Sequence, residues 1–161
     1  MDKIQIMGTN GVLKTVNTNE LDFYIAAYGA VIHNDEILIL PMKDKFGFPG
    51  GGISKGEDHK SALVREILEE TGYLVKPTKL LNVYTMFFQS FKNGAYMHSI
   101  QIYYICEIAD ETTTQPRLTD REKTYLKPAV WKKLSQLDKS DFLGTPEMID
   151  DIMWYCADTI K

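Results

Sequence analysis

The chain has 161 residues, with 18 Lys and Arg against 22 Asp and Glu, for a formal net charge of −4. That length points to one domain, residues 1–161, able to bury about 70% of the surface its unfolded chain exposes. The acidic balance argues against affinity drawn from a broad basic stripe, so nucleic acid is not an expected partner. A content of 44% hydrophobic and 25% charged residues excludes a disordered or fibrous chain.

The longest run free of strongly polar residues, Ile25 to Ile32, falls far below the ~20 residues that span a bilayer. Met1-Asp2-Lys3-Ile4 lacks the basic stretch and apolar core of a signal peptide. A cytoplasmic protein without membrane contact is the expectation. Cys106 and Cys156 have no Cys or His beside them at metal-ligand spacing, and read as two buried thiols rather than a disulfide.

In chain order, Lys3 to Met7 and Val12 to Val16 form a hairpin across Asn10-Gly11, a small attachment within residues 1–20. Phe23 to His33, the turn Asn34-Asp35 and Glu36 to Pro41 make a second hairpin, whose return strand is apolar on both faces. Lys45 to Gly56 holds five glycines and a proline and is expected to carry no regular element. Glu57 to Thr71 reads as a helix closed by Gly72. Tyr73 to Val75, Leu80 to Gln89 and Tyr96 to Ile108 read as strands, the last two joined by Lys92-Asn93-Gly94. Residues 110–123 read as a polar loop and Ala129 to Leu134 as a last strand. Thr145-Pro146-Glu147 starts a helix whose Ile149, Ile152, Met153, Cys156 and Ile160 make an apolar stripe for the core.

On a wheel of the first helix, Glu66, Glu69 and Glu70 share an arc of roughly 100° with Arg65 at its edge, opposite Leu63, Val64, Ile67 and Leu68. Like charges at this spacing repel by a few tenths of a kcal/mol per pair, so a cation should offset them. A solvated acidic face is the plain explanation for an arbitrary helix. Here a glycine-rich loop leads into the helix, where backbone groups approach a ligand without Cβ obstruction and the helix start adds a positive dipole end. Loop and stripe together suit a metal-bound phosphate, and the missing Gly-Lys-Ser/Thr excludes a Walker-type loop.

At these residues the sequence resembles the Nudix hydrolase family, whose box reads G, five residues, E, seven residues, R-E-U-x-E-E-x-G-U, with U a bulky aliphatic. The counterpart here is Gly51, Glu57 and Arg65-Glu66-Ile67-Leu68-Glu69-Glu70-Thr71-Gly72-Tyr73. Seven fixed letters give a chance match on the order of 10⁻⁹ per starting position. Phe46-Gly47-Phe48-Pro49-Gly50-Gly51 is similar to the family's lead-in. Tyr73 replaces the final aliphatic, and Ser54 stands where many members carry a further Glu.

The resemblance implies an α+β chain in the Nudix fold, an α/β/α sandwich around a mixed β-sheet. It also implies Mg²⁺-dependent hydrolysis, with Mn²⁺ as a substitute, of a nucleoside diphosphate linked to another group, such as a nucleoside triphosphate or a nucleotide sugar. By residue, Glu66 and Glu70 are then the main metal ligands, Glu69 a further one and the Gly50 carbonyl a backbone ligand. Arg65 and Glu57 orient the carboxylates, and a Glu not fully used as ligand serves as base. The acidic loop is expected to add one more carboxylate, Glu122 first, Asp120 second and Glu111 as the outsider, the alternative being a solvated loop that closes on substrate without touching metal. The partner is a small nucleotide, and a homodimer is compatible with it. A catalytically idle nucleotide sensor is the alternative, which would be expected to lose box carboxylates that are present here. An enzyme trimming RNA 5′ ends should show more basic surface. His98 reads as a strand residue, and at most two of Tyr28, Phe46, Phe48, Phe87, Phe88 and Tyr96 as base-stacking.

Overall fold

The computed structural model describes residues 2–160. Its strands are β1 (Lys3–Met7), β2 (Leu13–Asn17), β3 (Leu21–His33), β4 (Glu36–Met42), β5 (Lys45–Gly47), β6 (Gly50–Gly52), β7 (Tyr73–Gln89), β8 (Tyr96–Thr113) and β9 (Val130–Lys133). The helices are α1 (His59–Thr71) and α2 (Pro146–Ile160). Among the described residues the sheet runs β2-β1-β7-β8-β3-β4-β5, with β6 on β3 and β9 on β4. It is mixed: β3 and β8 are parallel from Leu21↔Tyr96 to Val31↔Cys106, whereas β7 and β8, and β3 and β4, are antiparallel.

The two helices cover apolar surfaces of this sheet. Leu63 and Ile67 of α1 are fully buried with Ala27, Val31, Leu38 and Cys106. Gly29 lets the helix sit this low, since a Cβ there would fall 2.7 Å from Ile67 Cδ1. Met148, Ile149, Ile152 and Cys156 of α2 join a second cluster with Ile37, Ile39 and Ile105. The α2 stripe is thus core, as its spacing indicated, although Met153 and Ile160 are only partly buried. Both thiols are free and buried, and burial pushes each up to about 12.

Several boundaries differ from the sequence reading for physical reasons. The glycine-rich segment holds β5 and β6 instead of no regular element. Gly50 to Gly52 pairs with Tyr28 to Ala26, at a closeness where a Cβ on Gly50 would lie 2.2 Å from the Ala27 carbonyl oxygen. Glycine removes the side chain that would keep these backbones apart. Helix α1 starts at His59 rather than Glu57, because Asp58 accepts from the Lys60 and Ser61 amides as N-cap. It ends as expected, with Gly72 at φ 77° donating to the Leu68 carbonyl.

The strand broken at Pro77 in the sequence reading is one strand, because register shifts at Pro77/Lys79 and Leu80/Asn82 absorb the proline without ending the ladder. Its partner β8 runs on to Thr113, taking Asp110 to Thr113 out of the loop and pairing them with Leu74 and Tyr73. The N-terminal hairpin continues the main sheet through Met7↔Phe88, with Lys14 Nζ donating to Gln89 Oε1 at 2.7 Å and Ile6 fully buried.

Candidate active site

The site lies where α1 ends against the start of β6. Packing of Leu63 and Ile67 turns Glu70, three residues after Ile67, toward the loop, and there Glu70 Oε2 accepts from the Gly50 amide at 2.8 Å. Glu70 is only 8% exposed. Burial pushes its carboxyl up to about 8; the Gly50 hydrogen bond and Lys92 oppose this, and Glu66 and Glu122 add to it. A buried carboxyl facing two other acids is the electrostatic signature of a place that takes a cation.

Glu66 lies one turn earlier, against Gly51, where a Cβ would fall 2.7 Å from its carboxyl carbon. Arg65 braces the stripe. It clamps Glu57 through two bonds of 2.8 Å, reaches Glu66 at 2.7 Å and Glu69 at 3.4 Å, and donates to the Gly52 carbonyl at 3.2 Å. This fork holds Glu57 down at about 2, and raises the already high value of Arg65 further. Glu57 also accepts from the Ser54 amide at 3.1 Å, which ties the end of the loop to the helix.

Glu122 opens a short 3₁₀ turn, Glu122–Thr124. Its Oε2 accepts from the Thr119 amide and hydroxyl at 2.8 and 2.7 Å, its Oε1 faces Lys92 at 3.6 Å, and its side chain is 16% exposed. Asp120, the second choice from sequence, is fully exposed and pairs with Lys123. Glu69 is partly exposed and has Arg65 as its partner. Glu66, Glu70 and Glu122 therefore face one region, with Glu57 behind Arg65.

Among the described residues no three carboxylates close on a single point, since Glu66 leans on Arg65 and Glu70 on Gly50. The donor set nonetheless fits a hard divalent ion: carboxylates of Glu66 and Glu70 lie against the glycine backbone at Gly51 and Gly50, and burial holds the proton on the more buried of them. Three further residues border this region and interact electrostatically with Glu70: Lys92, legible in sequence only as part of a turn, Tyr125, which lies outside every element read from sequence, and Tyr28, read there as a stacking candidate. His98 stacks between Phe23 and Phe87, at 5.0 and 4.6 Å, and Phe48 is core. Tyr73, in the box's final position, packs on Trp131 and accepts its indole N–H at 3.0 Å.

The NUDIX domain family matches residues 23–152, and the chain belongs to that family. The ADP-ribose pyrophosphatase of Methanocaldococcus jannaschii is 39% identical over 66 residues, which cover 38% of this chain and 39% of that relative. A MutT NUDIX hydrolase from Burkholderia pseudomallei superimposes with a TM-score of 0.61 at 21% identity, covering 80% of this chain and 95% of that one. A UDP-X diphosphatase does so with a TM-score of 0.61 at 17% identity, over 87% of this chain and 65% of that one. These structures share the fold. Among the described residues no helix is long and apolar enough to cross a membrane.

Proposed function

We propose that this Nudix domain is a pyrophosphohydrolase that cleaves a nucleoside diphosphate linked to another group, with Mg²⁺ or Mn²⁺ bound by Glu66, Glu70 and the Gly50 backbone. The observation that carries the reading is Glu70, buried on the Gly50 amide with Glu66 and Glu122 facing it. A bound divalent cation would polarise the phosphoryl oxygens, lower the pKa of water and steady the charge that develops on the leaving phosphate. Glu70 and Glu66 would give that cation their carboxylate oxygens. Arg65 fixes Glu66 by a bond of 2.7 Å and is itself fixed by Glu57, so the stripe does not collapse outward into solvent. In this reading Glu69 would accept a proton from water, supported by its looser engagement with Arg65 at 3.4 Å and its partial exposure. Glu122 adds an acid from the opposite wall.

The substrate is a small nucleotide. ADP-ribose and UDP-X, which name two of the relatives, put nucleoside diphosphate conjugates first and nucleoside triphosphates second. A screen of nucleotide sugars, dinucleoside polyphosphates and nucleoside triphosphates with Mg²⁺, read by product chromatography, tests this. Cleavage of one class into a nucleotide and a second phosphate-bearing product is expected. Absence of cleavage across the panel would overturn the reading.

A further inference from the structure

The hairpin between β7 and β8 carries Lys92 to Glu122, and its tip is a defined structure. Ser90 donates to the Ala95 carbonyl and Gly94 to the Ser90 carbonyl, each at 2.9 Å, while the Lys92 amide donates to Ser90 Oγ at 3.1 Å. Phe91 packs on Leu40, Tyr125 and Leu126, and Lys43 Nζ lies 4.5 Å above its ring. Anchoring Phe91 there brings the next residue beside Glu122. Lys92 Nζ lies 3.6 Å from Glu122 Oε1, faces the Tyr125 hydroxyl and acts on Glu70. Arg65, the other cation at the site, is engaged by Glu57, Glu66 and Gly52.

We propose that Lys92 is a switchable counter-ion of this site: its ammonium pairs with Glu122 while no divalent cation is bound, and contacts the substrate's phosphate chain once metal occupies the acidic region. The inference rests on the functional reading above. A lysine pair at 3.6 Å whose lysine side chain is 55% exposed is weak and readily exchanged. A divalent cation and an ammonium repel each other in one acidic region, so occupation by either disfavours the other. The released ammonium sits on a flexible four-carbon stem and is a compact charge suited to phosphate. Lys92 thus couples the hairpin tip to the state of the site.

The full chain tests this in two binding measurements. In metal-free protein, Mn²⁺ titration followed by electron paramagnetic resonance should show Lys92→Met binding Mn²⁺ about threefold or more tighter than wild type, because a competing charge is gone. In Mn²⁺-saturated protein, inorganic tripolyphosphate should bind Lys92→Met about tenfold more weakly by calorimetry, while Lys92→Arg stays within about threefold of wild type in both measurements. An Mn²⁺ affinity of Lys92→Met equal to or below wild type, or an unchanged tripolyphosphate affinity, overturns the proposal. Lys92→Gln repeats the comparison with a polar, uncharged side chain, and must behave as Lys92→Met does. A wild-type protein that binds Mn²⁺ and tripolyphosphate but hydrolyses no nucleotide refutes the functional reading, and the two affinities still decide on Lys92.

Discussion

Glu70→Gln separates the electrostatics of the site from its packing. The folded carboxyl lies at about 8, against 4.5 for the ordinary side chain. A raised folded pKa means that the group's contribution to stability is complete below the unfolded value, and is lost as pH rises through the folded one. Integrated between about pH 5.5 and about pH 8, this removes about 3 kcal/mol from the metal-free protein. At about 2–4 °C per kcal/mol for a chain of this size, Tm should fall by about 6–12 °C over that interval. Glutamine keeps an oxygen to accept the Gly50 amide and has nothing to titrate, so the variant should lose this slope and melt above wild type near pH 8. Added Mg²⁺ should restore wild type at that pH and leave the variant unmoved. The variant's kcat should drop by about 10²-fold or more, about 3 kcal/mol of barrier, with its fold intact. Thermal scans in chelator at several pH values decide the matter. Equal pH slopes for wild type and variant would refute the assignment of a buried, under-compensated carboxylate.

The opposite face of the same helix should behave in the reverse way. Leu63→Ala removes a fully buried side chain and should cost about 2–5 kcal/mol in chemical denaturation, with kcat of the remaining folded enzyme near wild type. Glu122→Gln should weaken Mg²⁺ dependence and lower kcat, whereas Asp120→Asn, in solvent beside Lys123, should leave both at wild-type values. Wild-type kinetics in Glu122→Gln would remove the loop from the site.

Periodicity and punctuation made much of this molecule legible. Ile37 to Leu40 read as a strand buried on both faces and are at most 2% exposed. Asn34 and Asp35, at φ 48° and 64°, form the expected two-residue turn, and Gly72 closes α1. The box spacing led to Arg65, Glu66, Glu69 and Glu70 because they recur on one helical arc, and local geometry carries such a pattern. What sequence missed depends on distant pairing. Gly50 to Gly52 becomes a strand only because β3 lies alongside, and Asp110 to Thr113 only because β7 does. Lys92 reaches Glu122 because Phe91 docks on a cluster assembled from β4 and the loop after β8, and no spacing within the chain encodes that. The order of Glu122 before Asp120, by contrast, has a local cause. They are two residues apart, and the Thr119 hydrogen bonds to Glu122 turn one inward and leave the other in solvent.

The central claim is that the glycine strand and the glutamate stripe form a site for metal-dependent cleavage of a phosphorus anhydride. Its most direct test is the initial rate of hydrolysis of the best substrate from the nucleotide panel, measured across a Mg²⁺ titration and again in excess chelator. Turnover should saturate with Mg²⁺, disappear in chelator and return when the metal is restored. Full turnover in excess chelator would contradict it.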